Sequence, residues 1–325
     1  MPDLSAPDVE ERANAFITAL QILGGGDRFD PLDVHAASRY VIRTLAWLWD
    51  MVAEPVLTAL GPTRAPAATA LLPRLWLIPT AELGLLPLHA AGHHTAGDGR
   101  TLIDCAVPSY TVTLRALRSA RQAAGTSRGR RPLRPLAVCV PRVPGAPELP
   151  AAERETASLR TLIPGLRVLS DDEADPDAVR AALAESDWVH FACHATGNLD
   201  CPSAGRLHLS GGALTVADVM DTRTPGAFLA YLSACETGRP GADLPDEVIH
   251  LSSAFPAAGY PHVISTLWPM GDRAAADIAE EMYAQLVTAG SDPARGLHTA
   301  VRRLWDVREC SQPVQWASHI HPGPG

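Results

Sequence analysis

Two short apolar runs in the second half of the chain end in residues that can do chemistry. WVHFACH (188–194) finishes on His194 and passes into Ala195, Thr196 and Gly197. FLAYLSAC (228–235) finishes on Cys235 and passes into Glu236, Thr237 and Gly238. If both runs are strands of one parallel sheet, both side chains stand at the edge where such sheets carry ligands. A cysteine with a histidine in reach has the parts for thiol catalysis. The imidazole takes the thiol proton or stabilises the thiolate, lowering a thiol pKa of about 8.5 toward neutrality. The backbone N–H beside the histidine, at Ala195, and that of Cys235 would serve as oxyanion donors, and the small residues that follow let a substrate backbone approach. Taken singly, a strand-end cysteine is ordinarily a small buried hydrophobe and a lone histidine an ordinary surface or core residue. Spacing by itself leaves that plainer role open.

Other clusters carry less. HFACH offers His190, Cys193 and His194 to a metal, but strand alternation puts His190 and His194 on one face and Cys193 on the other. No second ligand pair follows at zinc-site spacing. His89, His93 and His94, in HAAGHH, read as a solvated loop rather than a metal site, so no metal and no cofactor are expected. All 27 basic residues are arginine. Without lysine there is no P-loop lysine, no Schiff-base chemistry and no serine–lysine hydrolase. No GxGxxG follows a strand and opens a helix, which leaves a nucleotide-binding reading without its feature. The formal net charge of −9 gives no electrostatic reason to expect a nucleic-acid partner.

The elements that must position the two residues emerge from periodicity. Residues 38–60 carry apolar positions at helical spacing, RLWLIP (74–79) reads as a short strand, and 111–122 reads as a helix. GTSRGRRPLRP (125–135) is basic and Gly/Pro-bearing, a linker. Strands are then expected at 136–140, 166–170, 187–194, 227–235 and 262–268, with helices at 151–163, 175–186, 246–258, 272–289 and 294–306. A hairpin is expected over 205–216 turning on Gly211–Gly212, and a last short strand at 315–320. Such alternation means an α/β fold with a mostly parallel sheet covered by helices on both faces. The stretch 67–92 is broken by Pro73, Arg74, Pro79, Glu82 and Pro87 and cannot span a membrane. The first residues lack the pattern of a signal peptide. Six scattered cysteines without a CxxC pair read as free thiols of a cytoplasmic protein.

The order HFACHA, LTVADVM, LAYLSACETG and DEVIHLSSAFPAAGYPHVISTLWPMGD resembles the CHAT family of caspase-like proteins, relatives of caspases and separase. RLWLIPTAELGLLPLHAAG (74–92), PSYTVTLRALRSAR (108–121) and PRVPGAPELPAAERE (141–155) resemble the family's upstream half, so the likeness covers about 38–325. It implies a caspase-like sheet with an N-terminal non-catalytic subdomain, and a cysteine endopeptidase that cuts protein substrates without a cofactor. His194 matches the family's catalytic histidine and Cys235 its nucleophile, although Ala195 stands where glycine is commoner. The alternative is a caspase-like scaffold with a silent dyad. The expected division is a connector at 1–35, the non-catalytic subdomain at 36–125, the linker at 126–135 and the catalytic subdomain at 136–325.

Asp272 falls just after the strand HVISTLW, where the likeness to separase-like relatives implies a carboxylate that receives an arginine before the cut bond. The plainer reading is that Asp272 caps the helix it opens. Asp246 and Glu247 are second candidates for substrate binding. Chains of this family often carry helical repeats that recruit an activator. None is visible here, so the expectation is either a sensor or repeat protein acting in trans, or a longer protein of which this sequence is a fragment. Self-processing after a basic residue would have to follow an arginine, with Arg128, Arg130, Arg131 and Arg134 in the linker as the first places to look.

Overall fold

The structure, a computed structural model, describes residues 4–25, 28–61, 71–127, 134–196, 204–224, 226–233, 251–307 and 313–324. The chain opens with helices α1 (Ala6–Gly24) and α2 (Pro31–Leu48), a π-helical turn at Trp49–Ala53, and α3 (Glu54–Leu60). Strand β1 (Arg74–Leu77) pairs in parallel with β2 (Val107–Tyr110), which follows the short α4 (Leu102–Cys105) and precedes α5 (Leu114–Ser127). Then come β3 (Pro135–Val140), α6 (Pro150–Leu162), β4 (Arg167–Ser170), α7 (Pro176–Ala184), β5 (Trp188–Cys193), β6 (Ala195–Thr196), β7 (Arg206–Leu209), β8 (Gly212–Thr215), α8 (Val216–Asp221) and β9 (Leu229–Leu232). The chain ends with α9 (Leu251–Ala258), β10 (His262–Thr266), α10 (Asp272–Thr288), α11 (Pro293–Val307) and β11 (His319–Ile320).

The main sheet has the order β11-β10-β9-β5-β3-β4 and is parallel apart from β11. Alternation along β5 and β9 sorts side chains between two helical layers. Val189, Phe191, Cys193, Ala230 and Leu232 pack with Val179 and Leu183 of α7, Val219 of α8 and Phe255 of α9. Trp188, Leu229 and Tyr231 face the other way, into the core shared with Leu159 of α6, Met282 of α10 and the N-terminal helices. The two-layer cover is why these strands read as continuous apolar runs rather than alternating ones. The hairpin β7–β8 turns on Ser210 and Gly211, one residue earlier than expected. Gly211 takes the positive φ of +69° there, and Gly212 already belongs to β8.

Two segments differ from their sequence reading. The stretch taken as a connector holds α1, with Ser5 capping its N-terminus and Val9, Ala13, Phe16 and Ala19 buried. Phe16 meets Trp268 edge-on with ring centroids 5.8 Å apart, so this helix covers the chain leaving β10. HAAGHH is likewise not a solvated loop. His89 and His94 are buried. The His89 ring lies 2.8 Å from the Tyr110 hydroxyl and 3.0 Å from the Ala317 carbonyl oxygen, and His94 Nε2 donates to the Ala90 carbonyl oxygen. The cause is the C-terminal strand folding back over this loop and burying His319 and His321 beside it.

Two outcomes follow from these contacts. Phe16→Ala leaves a cavity against Trp268 and should cost about 3–5 kcal/mol of unfolding free energy, read from denaturant midpoints. Burial pushes the His89 ring down to about 4 and the His319 ring down to about 3. Unfolded histidines titrate near about 6.5, so below that pH the unfolded chain binds protons that the folded chain refuses. Stability should therefore fall as pH drops from about 6.5 toward 4, and His319→Asn should flatten that slope in denaturation curves taken at pH 7 and pH 5.

Candidate active site

β5 and β9 lie side by side in parallel, with His190 opposite Tyr231 and Phe191 opposite Leu232. The N–H of Ser233 donates to the Phe191 carbonyl oxygen at 2.9 Å and carries the pairing one step past β9. His194 follows the last residue of β5 and is half-buried at this edge of the sheet. Its Nε2 lies 2.7 Å from the carbonyl oxygen of Pro147. A carbonyl oxygen only accepts, so Nε2 carries the proton, and Nδ1 is the free lone pair of the neutral ring. The ring is thus held by one nitrogen, and among the described residues no hydrogen bond engages the other.

The backbone around His194 is also fixed. Its carbonyl oxygen accepts from the His208 N–H at 2.8 Å, and Ala195 pairs with Leu207 across β6–β7. In an antiparallel ladder those two facts make Ala195 and Leu207 a non-hydrogen-bonded pair. The N–H of Ala195 therefore points away from the hairpin. His208 lies beside Thr196, ring nitrogen to hydroxyl at 2.5 Å. Burial, with the nearby Arg206 and His194, holds its pKa below the ordinary histidine value. Cys235, Asp246 and Glu247 lie outside the described residues, as do Cys201, Cys310, Arg128, Arg130 and Arg131. Arg134 is described, and its guanidinium is tied to Asp187 at 2.6 Å.

Asp272 does not cap its own helix. Gly271 is the N-cap of α10 and offers no side chain. Instead Asp272 Oδ2 accepts from the Ala151 N–H at 2.6 Å, at the start of α6. The N-cap of α6 is Leu149, which makes no side-chain cap, and the first helical residue is Pro150, which has no N–H. Asp272 thus satisfies an orphan donor that α6 cannot satisfy locally. Its carboxylate keeps further lone pairs for another donor. Pro147 and Ala151 belong to one short stretch, so His194 and Asp272 are drawn to the same segment of chain.

One turn further along α6, Glu155 is only 3% exposed. Its Oε2 accepts from the Ser233 hydroxyl at 3.1 Å, and Oε1 lies 3.1 Å from His190 Nε2, outside hydrogen-bond alignment. Sequence reasoning missed Pro147, Ser233, His208 and Glu155. For Glu155 a signal existed, because it shares the buried face of α6 with Ala152, Thr156 and Leu159, where a carboxylate is out of place. As expected from alternation, His190 faces α6 and α10 while Cys193 packs in the opposite layer. Among the described residues, no three His, Cys, Asp or Glu side chains are grouped to hold a metal ion, and no helix is long and apolar enough to cross a membrane.

A sequence profile of the CHAT domain matches residues 43–324. Tetratricopeptide repeat protein 28 of Homo sapiens is 25% identical over 215 residues, 53% of this chain and 8% of that protein. The Mus musculus protein of the same name is 24% identical over 212 residues, again 8% of its length. The chain therefore spans less than a tenth of these curated relatives. Among solved structures, the complex of Porphyromonas gingivalis RgpB pro- and mature domains superposes with a TM-score of 0.53 at 10% identity, over 98% of this chain and 75% of the other. The Arg-specific cysteine proteinase gingipain R (RgpB) gives 0.54 at 8% identity, over 98% and 74%. The Saccharomyces cerevisiae separase–securin complex gives 0.53 at 11% identity, over 98% of this chain and 22% of the other. At these identities the likeness is one of fold, and the fold is that of the caspase-like cysteine peptidases.

Proposed function

The chain belongs to the CHAT domain family, and on that premise we propose that it is a cysteine endopeptidase whose nucleophile is Cys235 and whose base is His194. The observation that carries the reading is the register of β5 on β9. Partners differ by a constant 41 residues, from Trp188 and Leu229 to Phe191 and Leu232. The same offset applied to position 194 gives position 235. Within the described ladder, even-numbered residues of β5 and odd-numbered residues of β9 share a face, and this parity together with the offset is what supports pairing position 194 with position 235 in the proposal.

The chemistry needs only groups of this chain. The Cys235 thiol gives its proton to Nδ1 of His194 while Nε2–H stays on the Pro147 carbonyl, and the resulting thiolate attacks the peptide carbonyl. The N–H groups of Ala195 and Cys235 receive the developing oxyanion. Nδ1–H then protonates the leaving amine, and His194 draws a proton from the water that hydrolyses the acyl-enzyme. No metal or cofactor enters these steps.

For the residue before the cut bond, Asp272 is the proposed receptor of an arginine. Its further lone pairs and its position at the start of α10, just after the loop out of β10, support this, as does the arginine specificity in the name of one structural neighbour. Asp246 and Glu247 remain further candidates on the same substrate. An activating partner built of helical repeats is proposed because the curated relatives are named as tetratricopeptide repeat proteins.

A peptidyl chloromethylketone ending in arginine, followed by peptide mapping, tests the dyad. Burial raises Cys139 and pushes Cys105 up to about 11, so both should stay inert in the folded protein. Cys235 should be modified selectively, and Cys235→Ala should abolish cleavage with an unchanged unfolding midpoint. Cleavage that survives the substitution, or labelling no faster at Cys235 than at the other thiols, would point to a scaffold with a silent dyad. For specificity, Asp272→Asn should raise KM for an arginine peptide about tenfold or more. If the variant instead cleaves the arginine peptide as wild type does, Asp272 serves only α6.

A further inference from the structure

The geometry points to Glu155 as a positioning residue that locks the two dyad strands in register through Ser233 and His190. The inference rests on the Cys235–His194 reading. A carboxylate under a sheet is costly, and an apolar side chain of similar volume is often as stable or more so. Glu155 has no arginine partner to offset that cost among the described residues. Its contacts are instead with the dyad strands themselves. Ser233 directly follows β9, two residues before Cys235 in the sequence, and its hydroxyl donates to Glu155 at 3.1 Å. His190 is two pleat repeats before His194, with Nε2 at 3.1 Å from the same carboxylate.

The surroundings fix this arrangement further. Tyr283 of α10 places its hydroxyl 3.3 Å from His190 Nδ1. The Tyr231 ring lies against His190, with centroids 4.9 Å apart. Glu155 thus grips β9, faces β5 and rides on α6, the helix led in by the segment that orients the His194 ring. A slide of β9 along β5 would carry Ser233 away from the carboxylate and break that bond. The carboxylate therefore acts on the thiol–imidazole geometry from below, without touching substrate.

The test uses the full chain as wild type, Ser233→Ala, Ser233→Thr and Glu155→Ala. Two readouts are compared: kcat and KM for a peptide that wild type cleaves, and the pH dependence of Cys235 alkylation by iodoacetamide. Ser233→Ala and Glu155→Ala should lower kcat at least tenfold with KM changed less than about threefold. Their alkylation midpoint should rise toward the ordinary thiol value of about 8.5, as the thiol loses its histidine. Ser233→Thr, which keeps the hydroxyl, should stay within about threefold of wild-type kcat. If Glu155→Ala does not fold, Ser233→Ala carries the test alone, since it removes a single oxygen. The inference is overturned if Ser233→Ala keeps the wild-type kcat and alkylation midpoint. It is also overturned if kcat falls only with the folded fraction, or if Ser233→Thr is as impaired as Ser233→Ala. A wild-type chain that neither cleaves nor shows selective Cys235 alkylation would instead defeat the peptidase reading itself.

Discussion

The parallel pairing of β5 with β9 is the constraint on which the arrangement around His194 depends. In a parallel pair covered on both faces, a one-residue slip turns every side chain to the opposite layer. Such a slip of β5 would drive Trp188 into the layer now filled by Phe191 and Phe255, and would bring Cys193 under α6. The two cores therefore hold the register with large, fully buried aromatic side chains. The strand ends inherit that precision, because what is fixed in the middle of the ladder is fixed at its edge.

Beside that apolar constraint runs a polar one, and it is concentrated in a single stretch. The carbonyl of Pro147 holds the His194 ring, the N–H of Ala151 holds Asp272, and the carboxylate of Glu155 holds Ser233. Each contact joins this stretch to a different strand exit or loop of the same sheet edge. Arg154 adds an exposed tie from α6 to Asp277 of α10, worth little in itself at such an exposed site. The segment entering α6 is thus a common reference against which the edge residues are placed.

Most strands and helices after residue 135 were legible because their signals are local: apolar runs, helical spacing, and the glycine turn of the hairpin; the short α8 and β6 were not read. The order of the two strand endings was legible for the same reason. What escaped were contacts made across long stretches of chain. Nothing near His89 announces that Ala317 will lie over it, 228 residues away, so a histidine-rich loop looked wet when it is dry. Asp272 had a local explanation, the cap of its own helix, and a distant one, the capping of α6 across 121 residues, and the distant one is what forms. α1 was masked by the glycines that follow it. Yet Val9, Ala13, Phe16 and Leu20 stand at helical spacing behind the Ser5 cap, so its signal was local and was overlooked. Glu155 could have been noticed, since a carboxylate in line with Ala152 and Leu159 breaks the pattern of an otherwise apolar helix face.

The acceptor that orients His194 is a main-chain oxygen rather than a carboxylate or an amide side chain. A side-chain orienter is lost with one codon change, whereas a carbonyl is supplied by whichever amino acid occupies the position. The identity of residue 147 is therefore chemically almost free, limited only by the backbone angles it can adopt. What the arrangement does not tolerate is a change in the number of residues between β3 and α6, since one more or one fewer would present a different carbonyl. Variation in this protein's lineage should then appear at that loop as exchange of residue type at constant length, and a change of length there would mark a chain whose histidine is no longer held.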